Sequence, residues 1–236
     1  MSDTPSVLVT GAGQGLGYEL CRIYLGMGWR VFPLVRSMPG AARFDPAVAR
    51  SCHPIIVDLV SEDPVGAIRA AVSAQTERLD VVINNAGVPG AATKLAALTP
   101  HELGQLLDVH CLGAILCTQA VLPLLRARGS KIVNVTSRTA SFAGNAAGEF
   151  AGESISYSYR IAKAAQNMLT LCMSDELGRA GVVVCAVHPG EFESALNPDG
   201  AEPAAEAAAR MVSFIEGLGP DDHGLWHDPR VGQIPW

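Results

Sequence analysis

Short continuous runs of Val, Ile and Leu recur along this chain, and each is followed by a stretch long enough for a helix. The runs are Val7–Thr10, Arg30–Val35, Pro54–Asp58, Val81–Asn84, Lys131–Thr136 and Val182–His188. A strand that is apolar at nearly every position is buried on both faces, which is the condition inside a parallel sheet. Strand and helix in alternation give a doubly wound α/β fold. The intervening patterns predict helices over about Gly15–Met27, Pro64–Glu77, Pro100–Arg128, Ser154–Gly178 and Pro203–Leu218. A last short strand is expected near Gly224–Trp226, making a mainly parallel, seven-stranded sheet. Thr99-Pro100-His101-Glu102 sets a Thr cap, a first-turn Pro and an early acid at a helix start. The Ala-rich stretch Ala201–Ala209 reads as helix. A length of 236 residues suits one α/β domain over 1–236, without repeats or a linker.

Composition narrows the function classes. Hydrophobic residues are 49% and charged residues 17% of the chain, which fits a covered sheet and not a disordered chain. A net charge of −6 argues against nucleic acid as a partner, because phosphate backbones demand basic surface. No uninterrupted apolar run is long enough for a membrane span, so none is expected. Met1-Ser2-Asp3-Thr4-Pro5 lacks the basic and apolar regions of a signal peptide, and the expected location is the cytoplasm. Cysteines at 21, 52, 111, 117, 172 and 185 form no CxxC and read as small reduced core residues. His223 and His227 stand in an HxxxH pair, but in a stretch that reads as strand; no metal site is assigned.

Two motifs carry chemistry. The first strand runs into Thr10-Gly11-Ala12-Gly13-Gln14-Gly15-Leu16-Gly17, a TGxxxGxG turn. A turn without side chains lets backbone approach a pyrophosphate, and the helix N-terminus behind it offers unpaired N–H groups and a partial positive charge. Downstream, Tyr159-Arg160-Ile161-Ala162-Lys163 contains YxxxK, whose ends share one helix face. An ammonium beside a phenol favours the phenolate and lowers the Tyr pKa from about 10, making Tyr159 a usable acid or base. Tyr157 is a decoy, since the residue four after it is Ile161. Each motif alone is weak; both in this order are a strong joint signal for an oxidoreductase.

With Asn84-Asn85-Ala86-Gly87, Val133-Asn134-Val135-Thr136-Ser137 and His188-Pro189-Gly190 also in order, the chain resembles the short-chain dehydrogenases/reductases over nearly its whole length. The segment Tyr159–Thr170 and the tail Ile234-Pro235-Trp236 are similar to the subgroup containing the sniffer-type carbonyl reductases and the bacterial C-factor proteins. The resemblance implies a Rossmann fold that binds a dinucleotide through Gly11, Gln14, Gly15, Leu16 and Gly17. Asp58, with Leu59 after it, matches the family's adenine-contacting acid, although a helix-cap or strand-end turn role fits Asp58 too. Asn85, Ala86 and Gly87 match the loop bordering the adenosine ribose, while Asn84 can brace neighbouring strands. The second strand ends in Val35-Arg36-Ser37. A guanidinium suits a 2′-phosphate where an acid would repel it, so Arg36 with Ser37 points to NADP(H), with NAD(H) the alternative.

The resemblance further implies that Ser137 holds the substrate oxygen, Tyr159 exchanges the proton, and Lys163 binds the nicotinamide ribose and tunes Tyr159. Pro189, Gly190 and Phe192 belong to the loop over the nicotinamide, and Ser194 stands where the family has a Thr. The departure is His110, which occupies the place of the family's Asn; neutral imidazole offers one donor and one acceptor, so it can relay a proton or simply pack. Glu191 and Glu193 are unusual acids beside phosphates, either surface residues or contacts for a cationic substrate. The Gly- and Ala-rich segment Ala140–Gly152 reads as part of the substrate wall. The implied activity is NADPH-dependent reduction of a small ketone or aldehyde, or the reverse oxidation of a secondary alcohol. The alternative is a cofactor-bound signalling or non-redox protein of the C-factor type. Apolar residues on several helix faces, including Leu116, Val121, Leu169 and Leu171, point to a homodimer or homotetramer.

Overall fold

The structure, a computed structural model, describes residues 4–44, 50–125, 129–194 and 197–236. The expectations for Met1–Asp3, and for a helix reaching Arg128, lie wholly or partly outside the described residues. Strands β1 (Ser6–Thr10), β2 (Arg30–Val35), β3 (Ile55–Ile56), β4 (Val81–Asn84), β5 (Lys131–Val135), β6 (Val183–Val187) and β7 (Trp226–Asp228) are all parallel, as expected. A short strand that the sequence did not suggest, β8 (Gly232–Gln233), runs antiparallel to β7 at the edge. The order is β3-β2-β1-β4-β5-β6-β7-β8. The chain winds outward from β1 in one direction and from β4 in the other, leaving a crevice beyond the carboxyl ends of these two strands.

Side chains alternate across the pleat. Val7, Val9, Val31, Val35, Ile83, Val133 and Cys185 pack beneath α1 (Gly15–Gly26) and α8 (Ala204–Gly217). A one-turn helix, α2 (Met38–Ala41), follows β2. Leu8, Phe32, Leu34, Val82, Ile132 and Val184 face α3 (Pro64–Ser73) and α5 (Gly113–Val121). Both sides of each inner strand are therefore apolar, which is why the runs read as continuous. Cys21, Cys52, Cys117 and Cys185 are buried free thiols as expected, whereas Cys111 is half-buried and Cys172 exposed, not core residues.

Several boundaries move for local reasons. The third strand is only two residues long; just past it, Asp58 Oδ1 accepts from the Val60 N–H at 3.1 Å. α7 (Tyr157–Leu177) starts later than expected because Ser156 caps it, and α8 begins only after Pro203. The single helix expected from Pro100 is in fact α4 (Pro100–Leu107), a π turn over Asp108–Leu112, α5, and a 3₁₀ turn over Leu122–Leu124. By length and composition alone this stretch could cross a membrane; here Leu106, Ala114, Cys117, Ala120 and Val121 are buried in the molecule. Val121, one of the apolar residues that pointed to a subunit interface, is a core residue of the single chain.

Candidate active site

The glycines of the first turn are demanded by geometry. Gly11 and Gly15 have φ of 65° and 54°, the left-handed region that other residues avoid. A Cβ on Gly17 would lie 2.5 Å from Gly11 O and 2.6 Å from Asn85 Nδ2, so the helix can start here only without a side chain. Thr10 braces the turn: its Oγ1 accepts from the N–H groups of Asn85 and Ala86, both at 2.9 Å. Asn85 Nδ2 donates to Thr10 O at 2.9 Å. Gln14 gives α1 no side-chain cap, and no acid sits in its first turn. The leading N–H groups of α1 thus remain open to an anion, and the residues present fit a dinucleotide phosphate.

Beside this turn lies a cavity of about 470 Å³. It brings together Leu16, Asn85, Gly87, His110, Ser137, Tyr159, Lys163, Pro189, Gly190, Phe192 and Ser194. The remaining sequence candidates Gly11, Gln14, Gly15, Gly17, Arg36, Ser37, Asp58, Leu59 and Ala86 stand outside its lining. Arg36 and Ser37 are exposed at the end of β2, and the Leu59 side chain is buried in the core. Asn84 is structural: its Nδ2 donates to Asn134 Oδ1 at 2.8 Å, tying β4 to β5.

β5 delivers Ser137, and α7 delivers Tyr159 and Lys163 one turn apart. The Ser137 hydroxyl meets Thr139 Oγ1 at 3.0 Å, and it lines the same cavity as the Tyr159 phenol. Enclosure by protein pushes the phenol up to about 12, against the downward pull of Ser137. This corrects the expectation of a lysine-lowered phenol. Lys163 Nζ donates to Val135 O at 2.6 Å and Gln166 Oε1 at 3.0 Å, and it stands 5.9 Å from the Tyr159 ring centre. Burial brings the lysine itself down to about 7. Desolvation dominates both shifts because both groups are taken from water, and Lys163 Nζ is turned to Val135 O and Gln166 Oε1.

His110 sits on the π turn, 1% exposed. Such turns insert one extra residue into a helix and re-aim side chains. Its Nε2 bonds Val88 O at 2.9 Å, the ring meets Tyr159 edge-on at 5.5 Å, and Nδ1 is buried without a hydrogen-bond partner. Burial, then the charge of Lys163, brings the imidazole down to about 3, against the Val88 hydrogen bond. With burial holding the imidazole neutral, no titration of His110 is expected near pH 6–7, where a free imidazole would titrate. The pH–rate profile of His110→Asn is expected to match that of the parent between about pH 5 and 8. Folded His110 refuses a proton that the unfolded chain takes up below about pH 6.5. Stability contributed here is therefore lost as pH falls through that value, and chemical unfolding should show a shallower acid loss in the variant. A rate limb near pH 6–7 that disappears in the variant would contradict the burial effect.

The segment expected as substrate wall is displaced. Ala140–Gly152 folds into a short helix, α6 (Phe142–Ala146), and packs on the C-terminus: Ser141 Oγ donates to Pro235 O at 2.9 Å and Ala143 N–H to Trp236 O at 2.9 Å. The wall comes instead from Arg138, Thr139 and residues 153–156. His188 also lines the cavity, 5% exposed and with both ring nitrogens unpartnered; it was legible only as part of a His-Pro-Gly match. Glu191 pairs with Arg138 at 2.9 Å, both half-exposed.

Residues 5–204 match the family model described as short chain dehydrogenase. The chain belongs to this family. It is an NAD(P)-dependent oxidoreductase. Among similar proteins is C-signal of Myxococcus xanthus, 34% identical and covering 70% of this chain and 98% of its own length. Another is 1-hydroxy-2-glutathionyl-2-methyl-3-butene dehydrogenase of Rhodococcus sp. (strain AD45), 31% identical over 98% of this chain and 99% of that protein. In fold, the short-chain dehydrogenase is similar to the carbonyl reductase Sniffer of D. melanogaster, with a TM-score of 0.89 at 22% identity, covering 99% of this chain and 100% of that one.

Proposed function

We propose that this protein is an NADPH-dependent carbonyl reductase acting on a small or medium ketone or aldehyde. The observation that carries the reading is the cavity that gathers Ser137, Tyr159 and Lys163, with burial holding the phenol protonated. A protonated phenol at neutral pH is a donor, which suits the reductive direction. The nicotinamide cofactor, when bound, supplies the hydride. Ser137 holds the substrate oxygen by a hydrogen bond, and Tyr159 gives its proton to that oxygen as negative charge develops there. Lys163, fixed to Val135 O and Gln166 Oε1, keeps a proton donor beneath the cavity. His110 holds the loop at Val88 and not a titrating proton.

The first-turn residues Gly11, Gln14, Gly15, Leu16 and Gly17 would hold the pyrophosphate. Asp58, Leu59, Asn85, Ala86 and Gly87 would border the adenosine, and Pro189, Gly190, Phe192 and Ser194 the nicotinamide. Arg36 and Ser37 would take a 2′-phosphate. NADPH oxidation with a panel of ketones and aldehydes tests the reading. Inertness toward the whole panel would favour the second reading, a signalling or non-redox member, which the likeness to C-signal supports. Six free cysteines suit a reducing cytoplasm.

Leu112 and Leu122, at the two ends of α5, and Tyr157, Ile161 and Met168 on α7 are each more than 40% exposed. Large apolar side chains left exposed on these two helices support a homodimer or homotetramer, which we expect. Light scattering at micromolar concentration checks this, and a monomer there would count against it.

A further inference from the structure

Thr99-Pro100-His101-Glu102 has the spacing of a capping box, in which the acid folds back onto the N–H of its own cap. Half of the box forms: Thr99 Oγ1 accepts from the Glu102 N–H at 3.1 Å. The Glu102 carboxylate reaches elsewhere. Its Oε1 accepts from the N–H groups of Ala91 and Ala92 at 2.8 and 3.1 Å, and from the Ser158 hydroxyl. Ser158, wholly buried, pairs with Ser156 Oγ at 2.7 Å. Ser156 caps α7 by accepting from the Tyr159 N–H at 3.2 Å. One carboxylate oxygen thus joins α4, the loop 87–92 and the first turn of α7.

Further contacts lock the same three segments. The Tyr157 N–H donates to Ala92 O at 2.9 Å. A Cβ on Gly90 would stand 2.1 Å from Ser156 Oγ and 2.5 Å from Ser158 Oγ. The anchored loop is also the one whose Val88 binds His110 and whose Gly87 lies against the imidazole. The donors around Glu102, Ser158 first, hold its carboxyl below the usual carboxylate range.

We propose that Glu102 is a positioning residue for the reduction: through Ser158, Ser156 and the loop 87–92 it fixes where Tyr159 and His110 stand relative to each other. The proposal rests on the reading of Tyr159 as proton donor. Tyr159 is the third residue of α7, so its position follows the first turn, the part of a helix that frays unless its N–H groups are satisfied.

Glu102→Ala, Glu102→Gln and Tyr159→Phe, made in the full chain, are compared by steady-state NADPH oxidation with the best carbonyl of the panel and by amide hydrogen exchange. In Glu102→Ala, kcat is expected to fall about tenfold, as a small misplacement of the donor requires. KM for NADPH should stay within about twofold. The amides of Ala91, Ala92 and Tyr159 should exchange faster while those of β1 and β5 do not. Glu102→Gln keeps an oxygen that accepts the same three hydrogens, so it should restore most of kcat and the protection. Parent-like kcat in Glu102→Ala, a loss that Gln does not restore, or faster exchange throughout the sheet would overturn the proposal. Should Glu102→Ala not fold, Ser158→Ala cuts only the link to α7 and carries the same expectation for kcat and the Tyr159 amide. A silent Glu102→Ala beside a crippled Tyr159→Phe refutes the positioning role alone, whereas full turnover in Tyr159→Phe refutes the functional reading as well.

Discussion

Tyr159→Phe is expected to lower carbonyl turnover about 10²-fold or more, the loss that accompanies removal of a positioned proton donor. Only a hydroxyl is removed. The phenyl ring keeps the edge-on contact with His110 at 5.5 Å and its place 5.9 Å from Lys163 Nζ. Ser137 keeps its contact with Thr139 at 3.0 Å, so its hydroxyl is not stranded. The melting temperature and NADPH affinity should therefore be nearly those of the parent, measured by circular dichroism and fluorescence titration, while kcat and kcat/KM fall together. That joint fall marks an interaction made mainly in the transition state. Parent-like turnover would remove the proton donor from the mechanism and leave the non-redox reading in its place.

The second large effect concerns the cofactor. Arg36→Ala should weaken NADPH binding by roughly 1.5–3 kcal/mol, the worth of a hydrogen bond to a charged group, and NADH far less. Arg36 is exposed at the carboxyl end of β2, where Val35 packs near Gly13 of the first turn, and among the described residues it holds no ion pair. Its removal should cost little stability, as for other exposed side chains away from special features. Any loss then belongs to the ligand. Dissociation constants for both cofactors decide the matter: an equal loss for NADPH and NADH would assign Arg36 to surface solvation and reopen the choice of NAD(H).

Much of the fold is written locally. Val7 and Val9 face one helix layer and Leu8 the other, so the apolar runs announced a sheet covered on both sides. Gly11, Gly15 and Gly17 announced the turn because no side chain fits there, and Ser137, Tyr159 and Lys163 announced the cavity that gathers them. These signals survive in a linear chain because periodicity, turn chemistry and helix spacing depend on near neighbours. What His110, Tyr159 and Lys163 do with their protons does not. Their shifts come from enclosure and from which acceptor each group meets, and Lys163 is claimed by Val135 across 28 positions. Nor could Glu102 be read beyond its capping spacing, since Ser158 stands 56 positions away. The displaced wall has the same cause: whether Ala140–Gly152 covers the cavity or the chain terminus depends on Pro235 and Trp236. Desolvation and long-range hydrogen bonds exist only once the sheet has brought distant segments together, so these were settled by the tertiary structure alone.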